Sequence, residues 1–351
     1  MRIKAAVLGA TGLVGQRFVS LLANHPWFDL VALTASEKRV GRSYGEVVEW
    51  VIGEDVPDAV KDLQVLPNDL KVLRREGVEV AFSALPSSVA WGVEESLLKG
   101  GITVVSNASP MRLEPDIPLL NPEVNVSHLE VLEKQKRRGW SGRLVKVPNC
   151  STAILTLALK PLIDVYRVRR VAVTTMQAIS GAGLRGVPGY MIGCNVIPFI
   201  KGEEEKLTAE SAKILGFVDK DSIRPSEVRV SASCTRVPVL DGHLESVFVD
   251  LDESVNPSEV VKVLKSFRGE IAGWGLPTAP ENPVVVRGEE WRPQPRLDVM
   301  AGEGMSVVVG RVRVDEGDRL LKFFVLGHNT LRGAAGSGVL IGEAMVKKGL
   351  L

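Results

Sequence analysis

The sequence predicts an α/β protein in which a doubly wound parallel sheet is followed by a second, α+β domain. Three observations carry this. Short apolar runs alternate with helix-like stretches through the first half, the pattern of parallel strands joined by crossover helices. A glycine triplet lies between the first such run and the first helix. The chain has 351 residues, more than one hydrophobic core ordinarily serves. The composition is 45% hydrophobic and 24% charged, as in a globular protein. A net charge of +1 argues against nucleic acid or an anionic membrane as a partner. No apolar run approaches the roughly 18 residues of a membrane span, and the opening MRIKAAVLGATG does not read as a signal peptide. Three cysteines, Cys150, Cys194 and Cys234, are too few and odd in number for a disulfide framework. They point to a reducing compartment, the cytoplasm. With no CxxC, HxxxH or EF-hand spacing, no metal site is expected.

The first stretch, IKAAVLGATGLVGQRFVSLLANHPWFDLVALTAS, reads strand, tight turn, helix, strand. Gly9, Gly12 and Gly15 follow the strand at three-residue spacing. Glycine suits a sharp turn and close approach to a pyrophosphate, which the helix N-terminus then faces. The pattern is GxxGxxG, not the GxGxxG of the Rossmann fingerprint, so its weight comes from its position between strand and helix. Gly9, Thr11, Gly12, Leu13 and Val14 are the candidate cofactor contacts. The second strand ends near Thr34, Ala35 and Ser36, with Lys38 and Arg39 beyond. Ser36 and Arg39 suit a 2′-phosphate, hence NADP, although a one-residue shift would place Glu37 where NAD binders carry an acid. Next come a strand in VEVAFSALP (78–86), a helix opened by Ser87 or Ser88 and closed by Gly100 and Gly101, and a strand in ITVVSNAS. Ligands of such sheets lie at the C-terminal strand ends, where SNASPMR delivers Arg112. An arginine there can grip a phosphate or carboxylate in bidentate fashion, though alone it is more often a surface residue.

Cys150 follows Pro148 and Asn149 at the start of the apolar segment STAILTLALKPL, in the expected first turn of a helix. The helix terminus contributes at most about 2 kcal/mol, roughly one and a half pKa units. That brings a thiol only to about neutrality, and burial reverses it. A nucleophile therefore needs an imidazole beside it; a packed, inert cysteine explains the stretch equally well. Of four histidines, His25 precedes Pro26 in a loop, His128 lies on a charged helix, and His328 sits in LGHNTLRG. His243 lies across the Asp241-Gly242 turn from Arg236, in what reads as a pair of strands, and could share its pocket. RRVAVTTMQAISGAG (169–183) is a strand running into a glycine turn and carrying Gln177. Cys194 and Cys234 read as packing residues. The segment 275–298, rich in Pro and Arg, cannot be one regular element and reads as an excursion near a subunit interface.

Taken in order, GATGLVG, SNASPMR, PNCST, QAISGAG, GEEEK (202–206), RVPVLDGH and GHNTLRGAAGSG resemble the aspartate-semialdehyde dehydrogenase family, in its archaeal and fungal branch. The resemblance implies an NADP-dependent reduction of L-aspartyl 4-phosphate to L-aspartate 4-semialdehyde with release of phosphate, a step towards lysine, methionine and threonine. It implies a Rossmann-type NADP domain over 1–149, completed by a C-terminal helix at 330–351, and a catalytic and dimerisation domain over 150–329. Cys150 would be the nucleophile, His243 the acid and base, and Gln177 would orient the reacting group. Arg236 would grip the substrate carboxylate and Glu203 its ammonium, with Arg112, Lys206 and Asn149 on the phosphate. Without the family, EEEK reads as a solvated helix start. Ser180, Gly181 and Gly183 would cover part of the cofactor, and Asn329 would meet its nicotinamide end. A homodimer or homotetramer is expected. The rivals are a malonyl-CoA or succinyl-CoA reductase of the same superfamily and a non-catalytic NADP-binding redox regulator.

Overall fold

The computed structural model describes residues 2–53, 55–315 and 319–351. Strands β1 (Ile3–Leu8), β2 (Phe28–Thr34), β3 (Val65–Leu66), β4 (Val80–Ser83), β5 (Thr103–Ser106) and β6 (Leu144–Lys146) form a parallel sheet. Its order is β3-β2-β1-β4-β5-β6, reversing direction between β1 and β4. The central strands are apolar on both sides because both faces are covered: Ala5 and Val7 face one core, Ala6 and Leu8 another. Helix α1 (Leu13–Leu22) follows β1 and helix α2 (Ser87–Lys99) follows β4. Neither Ser87 nor Ser88 caps α2. The cap position is Pro86, whose fixed φ suits the entry, and Ser87 is already helical. The ends of β4, β5 and β6 are tied by a buried cluster. Lys146 donates to Glu94 (2.8 Å) and to Ser106 (2.8 Å), and Ser83 and Ser106 also donate to Glu94. These three ends carry the loops that lead to the site.

Helix α3 (Cys150–Val165) leaves the first sheet and packs on a second. That sheet contains β7 (Val168–Gln177); β8 (Phe217–Asp219) and β9 (Ser222–Arg224) make a separate small ladder. Helix α4 (Glu203–Ile214) precedes that ladder. Strands β10 (Arg229–Arg236), β11 (His243–Leu251), β12 (Val284–Val286), β13 (Val307–Val314) and β14 (Leu320–Gly327) complete the second sheet, in the order β10-β7-β11-β14-β13-β12. Helix α5 (Pro257–Ser266) lies between β11 and β12.

One expectation changes here and another gains detail. β10 and β11 are not a hairpin across Asp241-Gly242: each lies along β7, one parallel and one antiparallel. The 275–298 segment is irregular over most of its length, but it supplies the edge strand β12. Helix α6 (Gly336–Lys347) returns to the first sheet, where Val339, Leu340 and Ile341 join Phe18, Phe28 and Phe82. Glycine permits the approach, since a Cβ on Gly338 would stand 2.6 Å from the Phe18 ring. Among the described residues no helix is long and apolar enough to cross a membrane.

Candidate active site

The reversal of strand order leaves a cleft of ≈1070 Å³ at the β1 and β4 ends. Gly9, Thr11, Gly12, Ala35, Ser36 and Lys38 are among its lining residues. Gly9 has φ 74, and a Cβ there would meet the Ala84 carbonyl oxygen at 2.9 Å. Gly15 lets α1 sit on the turn, for its Cβ would fall 2.1 Å from the Gly9 oxygen. Gly12 is the N-cap of α1 and offers no side chain to the first-turn amides, and that turn holds no acid. Such a turn, with free first-turn amides and no acid, could hold an anionic pyrophosphate. Leu13 and Val14 stand in the first helical turn behind Gly12 and do not line the cleft. Arg39 does not line it either. β2 ends at Thr34 and a 3₁₀ turn over Glu37–Arg39 swings Lys38 inward instead, with Glu37 beside it.

Cys150 is the first residue of α3 and is half-buried. Its Sγ lies 3.1 Å from Nε2 of His243. His243 is fully buried, and its Nδ1 accepts from the Ala178 amide at 3.0 Å. This bond assigns the proton of the neutral ring to Nε2, which points at the sulfur. Burial, then the charge of Arg236, holds the imidazole well below its ordinary pKa, so the ring is neutral. Burial, then the carboxylate of Glu203, pushes the thiol up to about 12 against the pull of Arg236 and the Ser151 amide. Both shifts favour thiol and imidazole over thiolate and imidazolium. Alkylation of Cys150 by iodoacetamide should accelerate about tenfold per pH unit from pH 7 to 9. A plateau near neutrality would mean a preformed ion pair.

Asn149 is the N-cap of α3. Its Oδ1 accepts from the amides of Ser151 (3.0 Å) and Thr152 (3.3 Å), and its Nδ2 donates to Glu203 at 2.8 Å. The orphan amides of the first turn claim the side chain that the family likeness assigned to phosphate. Glu203 also meets Lys206, at 3.6 Å. Arg112 is no surface residue: it is 7% exposed, pairs with Glu210 at 2.8 Å, and donates to the Asn107 carbonyl. Its Nε is buried without a partner.

Gln177 and Arg236 are paired neighbours at the ends of β7 and β10. Gln177 donates to Thr175 (3.2 Å) and Arg236 to the Ala178 carbonyl (2.7 Å). Gly181 passes close over both Arg236 and His243. A Cβ there would meet the Arg236 Nη1 at 2.6 Å and the ring at 3.2 Å. Gly183 ends the 3₁₀ turn Ile179–Ala182 at φ 82. Asn329 is committed to protein groups, donating to Ser180 (2.8 Å) and accepting from the Gly242 amide (2.8 Å). The tail it sits on lies against α1, where Arg17 donates to Thr330 at 3.1 Å. Cys234 is buried as expected, but Cys194 is exposed, at the end of a short surface turn with φ 52.

The sequence reading missed three residues. Glu245 follows His243 by two on β11, is fully buried, and neither oxygen has a partner. Burial, then Glu203, raises its pKa well above the usual carboxyl range, which favours the protonated form. Strand alternation from His243 would have found it. Glu210, two turns along α4 from Glu203, holds Arg112. Gly333 abuts Cys150, with a Cβ there falling 2.6 Å from Cys150 Cβ. Gly333→Ala should displace Cys150, cutting turnover at least about tenfold and destabilising by about 1–3 kcal/mol, read from kcat and thermal unfolding. Unchanged values would show that the tail can yield.

Comparison with known proteins adds the following. Residues 4–132 match the model described as the semialdehyde dehydrogenase NAD binding domain, and residues 159–332 the one described as the semialdehyde dehydrogenase dimerisation domain. Over 352 residues, covering 100% of both chains, the protein is 50% identical to an aspartate-semialdehyde dehydrogenase of Archaeoglobus fulgidus. It is 39% identical to a malonyl CoA reductase (NADP) of Metallosphaera sedula, with 99% of this chain and 98% of that one covered. The crystal structure of the aspartate semialdehyde dehydrogenase of Candida albicans with NADP superposes with a TM-score of 0.91 at 39% identity, covering 99% of this chain and 100% of that one.

Proposed function

The chain belongs to the aspartate-semialdehyde dehydrogenase family, and from that premise we propose that it reduces L-aspartyl 4-phosphate to L-aspartate 4-semialdehyde with NADPH, releasing phosphate. The observation that carries the mechanism is the 3.1 Å approach of Cys150 to His243 at the start of α3. Cys150 Sγ attacks the acyl carbon, the bond to the phosphate oxygen breaks, and the thiol proton leaves with the phosphate. A thioester on Cys150 results. The dinucleotide, when bound, supplies the hydride for the thioester carbonyl. His243 Nε2–H is placed to donate a hydrogen bond to the oxygen that becomes negative there; as the aldehyde departs, the electron pair of the breaking C–S bond returns to Cys150 Sγ, which takes up a proton from solvent. Arg236, beside Gln177, is a fixed cation for the substrate carboxylate; Glu203 is an anion for its ammonium. Arg112 and Lys206 provide the phosphate's positive charge. Gly9, Thr11, Gly12, Ser36 and Lys38 would hold NADP, with residues 1–149 and 330–351 forming its domain and 150–329 the catalytic one.

The second sheet offers a face for a homodimer: Phe248 is exposed on it, and Met176 and Phe324 are half-exposed. On this reading the protein works in the cytoplasm, on the lysine, methionine and threonine routes. The test is oxidation of aspartate semialdehyde by NADP with and without phosphate. Turnover that requires phosphate supports the proposal. Turnover with malonyl-CoA and none with phosphate and semialdehyde would replace it with the acyl-CoA reductase reading.

A further inference from the structure

Helix α4 presents a polar stripe to two loops of the first sheet. Glu203, Glu210 and Lys213 are buried and Lys206 half-buried, at successive helical spacings. Glu203 and Lys206 have roles above; Glu210 and Lys213 have none. Glu210 is 2% exposed. Its Oε1 accepts from Arg112 Nη1 at 2.8 Å and its Oε2 from the Asn149 amide at 2.6 Å. One carboxylate thus joins the loop after β5 to the residue that caps the nucleophile's helix. Lys213 uses all three of its N–H donors on that same loop, on the carbonyls of Arg112, Glu114 and Ile117, each at 2.6 Å. Within the loop, Met111, next to Arg112, has φ 69 in the left-handed region, a conformation that costs a non-glycine residue energy. Two of the three guanidinium nitrogens of Arg112 are bound in this frame, by Glu210 and by the Asn107 carbonyl. The third, Nε, is the buried donor with no partner.

We propose that Glu210 and Lys213 are positioning residues: together they fix the span from the Arg112 guanidinium to the Cys150 thiol, and with it the grip on the phosphoryl group. The inference rests on the phosphate-releasing reading above. A residue that merely supported the fold would weaken phosphate and cofactor binding alike. A residue that sets this one span acts on phosphate alone. Arg112 restrained by a carboxylate has one place to be; released, it samples several, and the phosphoryl group must order it on binding.

The experiment measures phosphate- and NADP-dependent semialdehyde oxidation by the full-length protein and three variants. Glu210→Gln keeps the size but sets an amide N–H against either Arg112 or the Asn149 amide. Lys213→Met leaves three carbonyls without a donor. Glu210→Asp keeps the anion and shortens its reach, and serves as the milder probe where the others unfold. The expected result is a KM for phosphate raised about tenfold or more in Glu210→Gln and Lys213→Met and less in Glu210→Asp, with kcat and the KM for NADP within about threefold. Unchanged phosphate KM in folded variants overturns the proposal. So does a parallel rise in the KM for NADP, including in Glu210→Asp alone. Failure of the wild-type protein to need phosphate at all would instead remove the functional reading beneath it.

Discussion

Cys150→Ser is expected to lower kcat by roughly 10⁴-fold or more, the scale seen when the nucleophile of a covalent mechanism is removed. The substitution changes little else. The Asn149 cap bonds the amides of Ser151 and Thr152, not the residue 150 side chain. Serine is about as small as cysteine, and Gly333 already leaves room at this position. A hydroxyl opposite a neutral, buried imidazole has no means of ionising, whereas the thiol is the more acidic and more nucleophilic group even when burial raises it. NADP binding, followed by fluorescence titration, should stay within about threefold, because the cleft at Gly9–Gly12 does not include residue 150. Near-normal turnover by this variant would mean that hydride transfer proceeds without a covalent intermediate.

His243→Asn is expected to lower kcat by about 10²–10⁴-fold, the usual contribution of a placed proton donor. Asparagine is the informative choice. Its Oδ1 falls close to where the imidazole carries Nδ1, so the Ala178 amide keeps an acceptor and the buried backbone is not orphaned. What is lost is Nε2, the atom 3.1 Å from the sulfur. Alanine would remove both and mix a folding penalty into the kinetics. Acylation of Cys150 should survive better than aldehyde formation, since the thiol proton can leave with phosphate while the later oxygen loses the Nε2–H placed beside it. A rapid-quench experiment separates the two steps. If the His243→Asn variant turns over within about threefold of wild type, the proton comes from elsewhere, and the protonated Glu245 two residues along β11 becomes the next donor to test.

Much of this site could be read along the chain because its signals are local. The glycine turn after β1 needs only its own spacing, and Pro148 with the apolar run behind it places Cys150 in the first turn of a helix. The misreadings have two physical origins: some depended on a partner remote in sequence, and others on local hydrogen bonding and turn geometry finer than residue type reveals. Asp241-Gly242 looks like a hairpin turn, yet the strands beside it pair with opposite edges of β7, which lies between them in the sheet. Arg112 looks like a surface arginine because its carboxylate, Glu210, lies 98 residues further on. Asn149 fits a phosphate ligand until the unsatisfied amides of α3 are counted. Lys38 and Arg39 are neighbours whose order of approach is decided by a three-residue 3₁₀ turn, finer than composition resolves.

The central claim is that Cys150 carries the acyl group. The most direct measurement mixes the wild-type protein with aspartate semialdehyde and NADP in the absence of phosphate, then digests it for mass spectrometry. The account predicts a burst of NADPH of about one equivalent per active site and an aspartyl thioester on the peptide containing Cys150, discharged when phosphate is added. A full burst with Cys150 unmodified, or an acyl group on another residue, would contradict it.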